Sequence, residues 1–163
     1  MSFDLINYIN EKQIPNILAV PFHWGHMYLM ELDEGQKVTM NSIPQYKDII
    51  QHWADTGNSC TIMHDGKPAV CFGNIQLWPN VHEFWMIADQ PAVKAHPWKL
   101  TKMARIVTKW LEIYLNCNRL QLVVRNDNVS HCRWAEAIGF KYETTLHKYT
   151  PDGRDCNFYV RLK

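Results

Sequence analysis

From Lys94 to Lys109 the chain carries five basic residues, Lys94, Lys99, Lys102, Arg105 and Lys109, and no acidic one. Lys99 and Lys102 fall near the start of a predicted helix, where the dipole is positive and a cation costs ~0.3–1 kcal/mol. A bound anion would turn that cost into a gain; lysines that simply point into water would leave it small through screening. A second unusual charge is Glu83, inside the apolar run VHEFWMIA (Val81–Ala88). Strand side chains alternate, so Glu83 and His82 face opposite ways, and an exposed strand face accounts for the carboxylate. The close histidine pair in HWGH (His23–His26) lacks the partner cysteines or the HExxH spacing of a zinc site. His131 and Cys132 are adjacent on a predicted helix and so point apart. GxSxG, GxxxxGK[ST] and GxGxxG are all absent.

Composition narrows the classes further. A length of 163 residues predicts one domain, 1–163, with a substantial core. The formal net charge of +1 argues against a dedicated nucleic-acid binder. Seven Trp and 12% aromatics fit an interaction surface, with an aromatic-rich core as the alternative. Cys60, Cys71, Cys117, Cys132 and Cys156 are odd in number and form no CxxC, which favours free thiols in a reducing compartment. No stretch reads as a leader or approaches eighteen consecutive apolar residues. A cytoplasmic protein without a membrane role is the expectation.

The elements that would position these residues follow from periodicity and turn chemistry. Asp4–Lys12 reads as a short helix ended before Pro15. HMYLMELD (His26–Asp33) reads as a strand, followed by a turn at Glu34-Gly35. Ser42 is the N-cap candidate of a helix with Pro44 in its first turn and Gly57 at its end. Ser59–Trp78 contains the hairpin turn Asp65-Gly66, and Pro79-Asn80 leads into a third strand, Val81–Asp89. Leu100, Met103, Val107, Trp110 and Tyr114 carry a long helix over Pro97–Leu115. The strand RLQLVVR (Arg119–Arg125) follows. A short helix runs between Asn128 and Gly139, and a hairpin, Glu143–Leu162, turns at Pro151-Asp152-Gly153. Strands Val81–Asp89 and Arg119–Arg125, joined by one long helix, should be parallel in an otherwise antiparallel sheet. The fold class is α/β (α+β), a mixed sheet flanked by helices.

Asn128 alone explains a helix N-cap worth ~1 kcal/mol over Ala, and Gly139-Phe140 explains a left-handed C-cap with its hydrophobic contact. The same marks carry a resemblance. A strand, an Asn, a short helix, Gly-Phe eleven residues after the Asn and a terminal hairpin resemble the C-terminal half of the GNAT acetyltransferases, over about Cys60 to Lys163. NVSHCRWAEAIGF with YTPDG is also similar to a GNAT-like group of small phage proteins, among them an internal virion protein of short-tailed coliphages. The GNAT resemblance implies a meander, a parallel crossover and a C-terminal hairpin, with acetyl-CoA lying where the two parallel strands splay.

The implied acetyl-CoA contacts are Ile87 and Ala88 on the first strand, Lys94, Lys99, Leu100, Thr101 and Lys102 around the helix start, and Asn128 and His131 beyond the second strand. Glu83 stands where some relatives keep a catalytic base. The sequence departs from the family at two places. Gln90–Ala104, where the family carries a glycine-rich pyrophosphate loop, has no glycine, and Pro91 and Pro97 lack N–H donors. Seven residues after Asn128, where many relatives place a proton-donating tyrosine, stands Ala135. Two functions follow. One is an acetyl-CoA-dependent N-acetyltransferase acting on a small-molecule or protein amine. The other is a non-catalytic GNAT fold used for binding or assembly in a phage, against a phage or host protein, in the host cytoplasm or the virion. Trp24, Trp78 and Trp98 are the candidate partner anchors.

Overall fold

The computed structural model describes residues 2–163. The elements are α1 (Ser2–Asn10), β1 (Ile17–Val20), a 3₁₀ turn (Trp24–Leu29), α2 (Glu34–Ser42), α3 (Tyr46–Thr56), β2 (Asn58–His64), β3 (Lys67–Trp78), β4 (Val81–Ala88), α4 (Gln90–Ala95), α5 (Pro97–Tyr114), β5 (Arg119–Arg125), α6 (Val129–Ala137), β6 (Lys141–Leu146) and β7 (Cys156–Leu162). The strands form one seven-stranded mixed sheet in the order β1-β2-β3-β4-β5-β7-β6. Helices flank it on both faces, as the sequence predicts.

The β2–β3–β4 meander forms around the expected turns. Asp65 (φ 49°) and Gly66 (φ 75°) both take the left-handed conformation that a tight hairpin requires. One face of the sheet is covered by α1 and α5. Leu100, Met103, Val107 and Leu111 of α5 meet Leu5 and Ile9 of α1 over Phe72, Phe84 and Leu120. Each such burial contributes ~1.5–3 kcal/mol, so α5 is held firmly under the centre of the sheet. The other face carries Ile50 and Ala54 of α3, with Met27 and Met30, over Cys71 and Ile87.

Four segments differ from the sequence reading. His26–Asp33 is no strand, because its first part continues the 3₁₀ turn. The His23 ring accepts from Gly25 N–H at 3.0 Å, and His23 N–H donates to the His26 ring at 3.3 Å. The apolar pattern has period three: Met27 and Met30 are 1% and 9% exposed, whereas Tyr28 and Leu29 are 61% and 71% exposed. Ser42 ends a helix instead of capping one. The cap is Asp33, whose carboxylate accepts from Gln36 N–H at 2.9 Å, while α3 begins after Gln45 in the left-handed region (φ 58°). Gln90–Ala95 forms α4 where a loop was expected, and the four-residue strand β1 is an addition.

Gly57 does terminate α3, for a reason of space. A Cβ there would stand 1.8 Å from the Asn74 carbonyl oxygen on β3. Backbone yields little, so Gly57→Ala should destabilise the fold by about 1–3 kcal/mol. A urea midpoint unchanged from the parent would refute this packing.

Candidate active site

β4 and β5 pair in parallel only at Val81↔Arg119, His82↔Leu120 and Glu83↔Gln121. Beyond that point they separate. β4 stays on β3 as far as Val70↔Ala88, and β5 stays on β7 as far as Arg125↔Cys156. Each strand is therefore held on its outer edge while the facing edges lie open. Alternate residues of an antiparallel-paired strand turn both backbone groups the same way, so Phe84, Met86 and Ala88 present theirs to the gap. A cavity of about 590 Å³ fills it, with walls from α2, α3, α6 and the β6–β7 loop. That volume is in the range of small-molecule sites.

Glu83 sits where the strands part and lines the cavity. Gln121, directly across in register, lies with its Nε2 3.4 Å from Glu83 Oε2. Arg119 Nε donates to Gln121 Oε1 at 2.9 Å and its guanidinium is paired with Glu143, which orients the amide toward Glu83. Burial raises the Glu83 carboxyl above its ordinary value, against the opposing effect of Gln121. His82 faces the other way, hydrogen-bonded to Asn74 at 2.8 Å.

Tyr149, on the β6–β7 loop, lines the same cavity. Burial and the charges of Glu83 and Cys156 raise its phenol above the ordinary value. Its loop is fixed by hydrogen bonds from Tyr149 N–H to Arg154 O at 2.9 Å and from Gly153 N–H to Thr150 O at 2.9 Å. Asp127 joins Arg125 at 2.9 Å and Arg154 at 3.1 Å, tying this loop to the end of β5. Cys156 also lines the cavity, yet its thiol is pushed up to about 11, so it is no nucleophile at neutral pH.

Asn128 caps α6 as expected and also lines the cavity. Its Oδ1 accepts from His131 N–H at 3.1 Å and from Ser130 Oγ at 3.0 Å, which caps α6. Its Nδ2 has no partner among the described residues, and Asn128 lines the cavity, as do His131 and Ile87. Burial lowers the pKa of His131, whose Nε2 is 3.6 Å from Asp33 Oδ2. The remaining predicted residues lie elsewhere. The Ala88 side chain is buried on the α5 side, leaving only its backbone at the gap. Leu100 and Thr101 are buried in the core, the amide of Leu100 donates to His96 O, and Thr101 Oγ1 donates to Pro97 O. Lys99 Nζ lies 3.4 Å from both Pro15 O and His64 Nε2, toward β1 and β2. Lys94 and Lys102 are exposed and do not line the cavity.

The seat of an anion directly after β4 is already taken. Asp89 caps α4, its Oδ1 accepting from Glu31 N–H at 2.7 Å and its Oδ2 from Ala92 N–H at 3.0 Å. Sequence reasoning missed Asp89, Gln121 and Tyr149. Asp-Gln-Pro is a helix-start signal, and Gln121 is the one uncharged polar residue of an apolar strand, so both had a readable mark. Tyr149 had none beyond its place before Pro151-Asp152-Gly153. Ala135 is fully buried at the position seven residues past Asn128, and no phenol stands there. All five cysteines are free, no group of three or more metal-ligating side chains occurs among the described residues, and no helix among them is long and apolar enough to cross a membrane.

A meander, a splayed parallel pair joined by a long helix, and a C-terminal hairpin inserted as β5-β7-β6 define the class: the chain has the fold of the GNAT acetyltransferases. It is similar to the crystal structure of a probable acetyltransferase, with 18% identity over 92% of this chain and 94% of that one and a TM-score of 0.70. It is also similar to a ribosomal-protein alpha-N-protein acetyltransferase in complex with coenzyme A, at 14% identity over 91% and 95% with a TM-score of 0.66. A GNAT family acetyltransferase from Elizabethkingia anophelis with acetyl-CoA bound aligns over 92% of this chain and 100% of its own, at 12% identity and a TM-score of 0.64. The sequence itself matches no family profile and no curated protein.

Proposed function

We propose that this protein transfers an acetyl group from a CoA thioester to a primary amine, with Glu83 as general base and Tyr149 as general acid. The observation that carries the reading is the opening of β4 from β5 immediately after Glu83↔Gln121, into a cavity that holds both groups. Acetyl-CoA, when bound, supplies the electrophilic thioester carbonyl. The edge of β4 at Phe84 and Met86, where among the described residues Met86 O meets only the Gln36 side chain, and Asn128 on the same cavity suit an amide-bearing pantetheine arm. Similar solved structures hold coenzyme A or acetyl-CoA, which supports a CoA-type donor.

The acceptor enters as an ammonium and must lose a proton before its nitrogen can attack. Glu83 in its ionised form takes that proton, and burial makes it a stronger base than an ordinary carboxylate. Tyr149 Oη remains protonated at neutral pH and supplies one proton to the departing sulfur as the new C–N bond replaces the C–S bond; the second proton lost by nitrogen restores the phenol, and Glu83 returns its proton to solvent. A carboxyl ordinarily titrates far below a phenol, and burial raises both groups here; the base works ionised and the acid protonated. The diphosphate is accommodated differently from the glycine-loop pattern, because the Asp89 carboxylate occupies the first helix N-terminus. Lys94 and Lys102 remain as the exposed cations nearest in sequence to that end of β4. Lys94→Ala with Lys102→Ala should weaken CoA binding by about three- to thirtyfold, with the parent's affinity falling as salt rises. Unchanged affinity would make these lysines ordinary surface charge.

A second reading, a GNAT fold kept for binding or assembly in a phage particle or against a host protein, is favoured by Asp89 on the anion seat. Release of free thiol from acetyl-CoA in the presence of an amine separates the two: turnover supports transfer, and its absence across primary amines supports the binding role.

A further inference from the structure

We infer that the acceptor is a monoamine on an aromatic or similarly flat apolar body, carrying no carboxylate. The inference rests on the acetyl-transfer reading for the word acceptor, and on the α2–α3 side of the cavity for its chemistry. Tyr46, Trp53, Trp85, Ile87 and Tyr149 line the cavity together with Glu83. Glu83, Trp85 and Ile87 alternate along β4 and so share one face. Phe22 packs edge-on against Trp85 with ring centroids 5.3 Å apart. The indole crosses Gly73, where a Cβ would meet its ring carbons at 2.2 Å. Gly73 therefore lets the ring lie down on the sheet.

On the α2 side the unpartnered polar atoms are acceptors, whereas Trp85 Nε1 and Asn128 Nδ2 are unpartnered donors, both uncharged, on β4 and before α6. Asp33 Oδ2, 3.6 Å from the His131 ring, and Gln36 Oε1 are buried with no hydrogen-bond partner among the described residues, and both residues line the cavity. Asp33 Oδ1 is committed to the α2 cap, and Gln36 Nε2 lies 3.3 Å from Met86 O. The one arginine on the walls, Arg125, is neutralised by Asp127 at 2.9 Å and Asp152 at 3.9 Å. Among the described residues on the walls no free cation waits for a ligand carboxylate, whereas Glu83 and Asp33 attract an ammonium. Aromatic faces around a carboxylate hold a cation by charge and its apolar body by contact. A polyamine would need further carboxylates along these walls, and Tyr46, Trp53 and Ile87 stand there instead.

The test is calorimetric titration of the intact protein, without a thioester, with 2-phenylethylamine, n-butylamine, spermidine and phenylalanine. The expected result is 2-phenylethylamine binding about tenfold or more tightly than n-butylamine or spermidine, with no binding of phenylalanine. Trp53→Ala should remove that preference, and Gly73→Ala, which lifts the indole, should weaken the aryl amine alone. Because Gly73→Ala could unfold the sheet, the Trp53 variant and the ligand ranking stand by themselves. Tighter binding of spermidine or phenylalanine, equal binding of all four, or none at millimolar concentration would overturn the inference. A separate titration with CoA keeps the two readings apart. Aryl-amine preference without CoA binding sinks the transfer reading and leaves the aryl amine as a ligand instead of an acceptor, and turnover of spermidine with aryl amines idle sinks this inference alone.

Discussion

Glu83→Gln lowers the rate of acetyl transfer by about 10²- to 10⁴-fold, the range for loss of a general base. The amide keeps the shape of the carboxyl and an oxygen facing Gln121 Nε2, so the site is not emptied. Removing a half-buried charge also removes its desolvation cost, so folding stability should hold or rise slightly. The pH profile gives the stricter test. Glu83 must be ionised to accept a proton, and burial has raised its pKa above the ordinary value. The parent's rate therefore rises with pH through that raised value. In the Gln variant this acidic limb should vanish, leaving a low and flat rate. A profile that keeps its acidic limb would assign the base to another group.

Tyr149→Phe should lower the rate by about 10²-fold, with little effect on the thermal midpoint, because Tyr149 is 54% exposed and its hydroxyl makes no hydrogen bond among the described residues. The effect should fall on kcat more than on the amine's KM, since the phenol acts on the departing sulfur. A full rate in Tyr149→Phe would leave the proton to water. It would also make the raised phenol a consequence of neighbouring Glu83 and Cys156 rather than of use. Tyr46, pushed up to about 12 by burial and lining the same cavity, is the internal control. Its Phe variant should keep the acidic limb and most of the rate.

The elements that build the splay were legible because each is bracketed by turn chemistry. β5 falls on Arg119–Arg125 as predicted, and Asn128 and Gly139 mark the ends of α6 as their side-chain and backbone preferences require. Gly139 has φ +98°, and Phe140 is buried against Phe84 at 6.2 Å. The N-terminal third was harder to read for an equally physical reason. HMYLM supports alternation and a three-residue period alike, and only the histidine cap at His23 decides between them. Asp33 as a cap was hidden by Glu34-Gly35, which reads as a turn.

Site residues divide in the same way. Glu83 announced itself as a charge within an apolar strand. Gln121, 38 residues away, gained meaning only when the parallel register set it opposite. Tyr149 reaches the cavity through the β6–β7 loop, and no local pattern records that the loop folds over β4 and β5. The glycine-free stretch after β4 was visible, but its consequence was not. Asp89 fills the anion seat from within the chain, a fact of hydrogen bonding rather than of composition.

The most direct measurement is calorimetric titration of the purified protein with acetyl-CoA and, separately, with CoA. The account predicts binding of both with dissociation constants on the order of micromolar, weakened by added salt. No binding at millimolar ligand would contradict it and leave a GNAT fold that serves other partners.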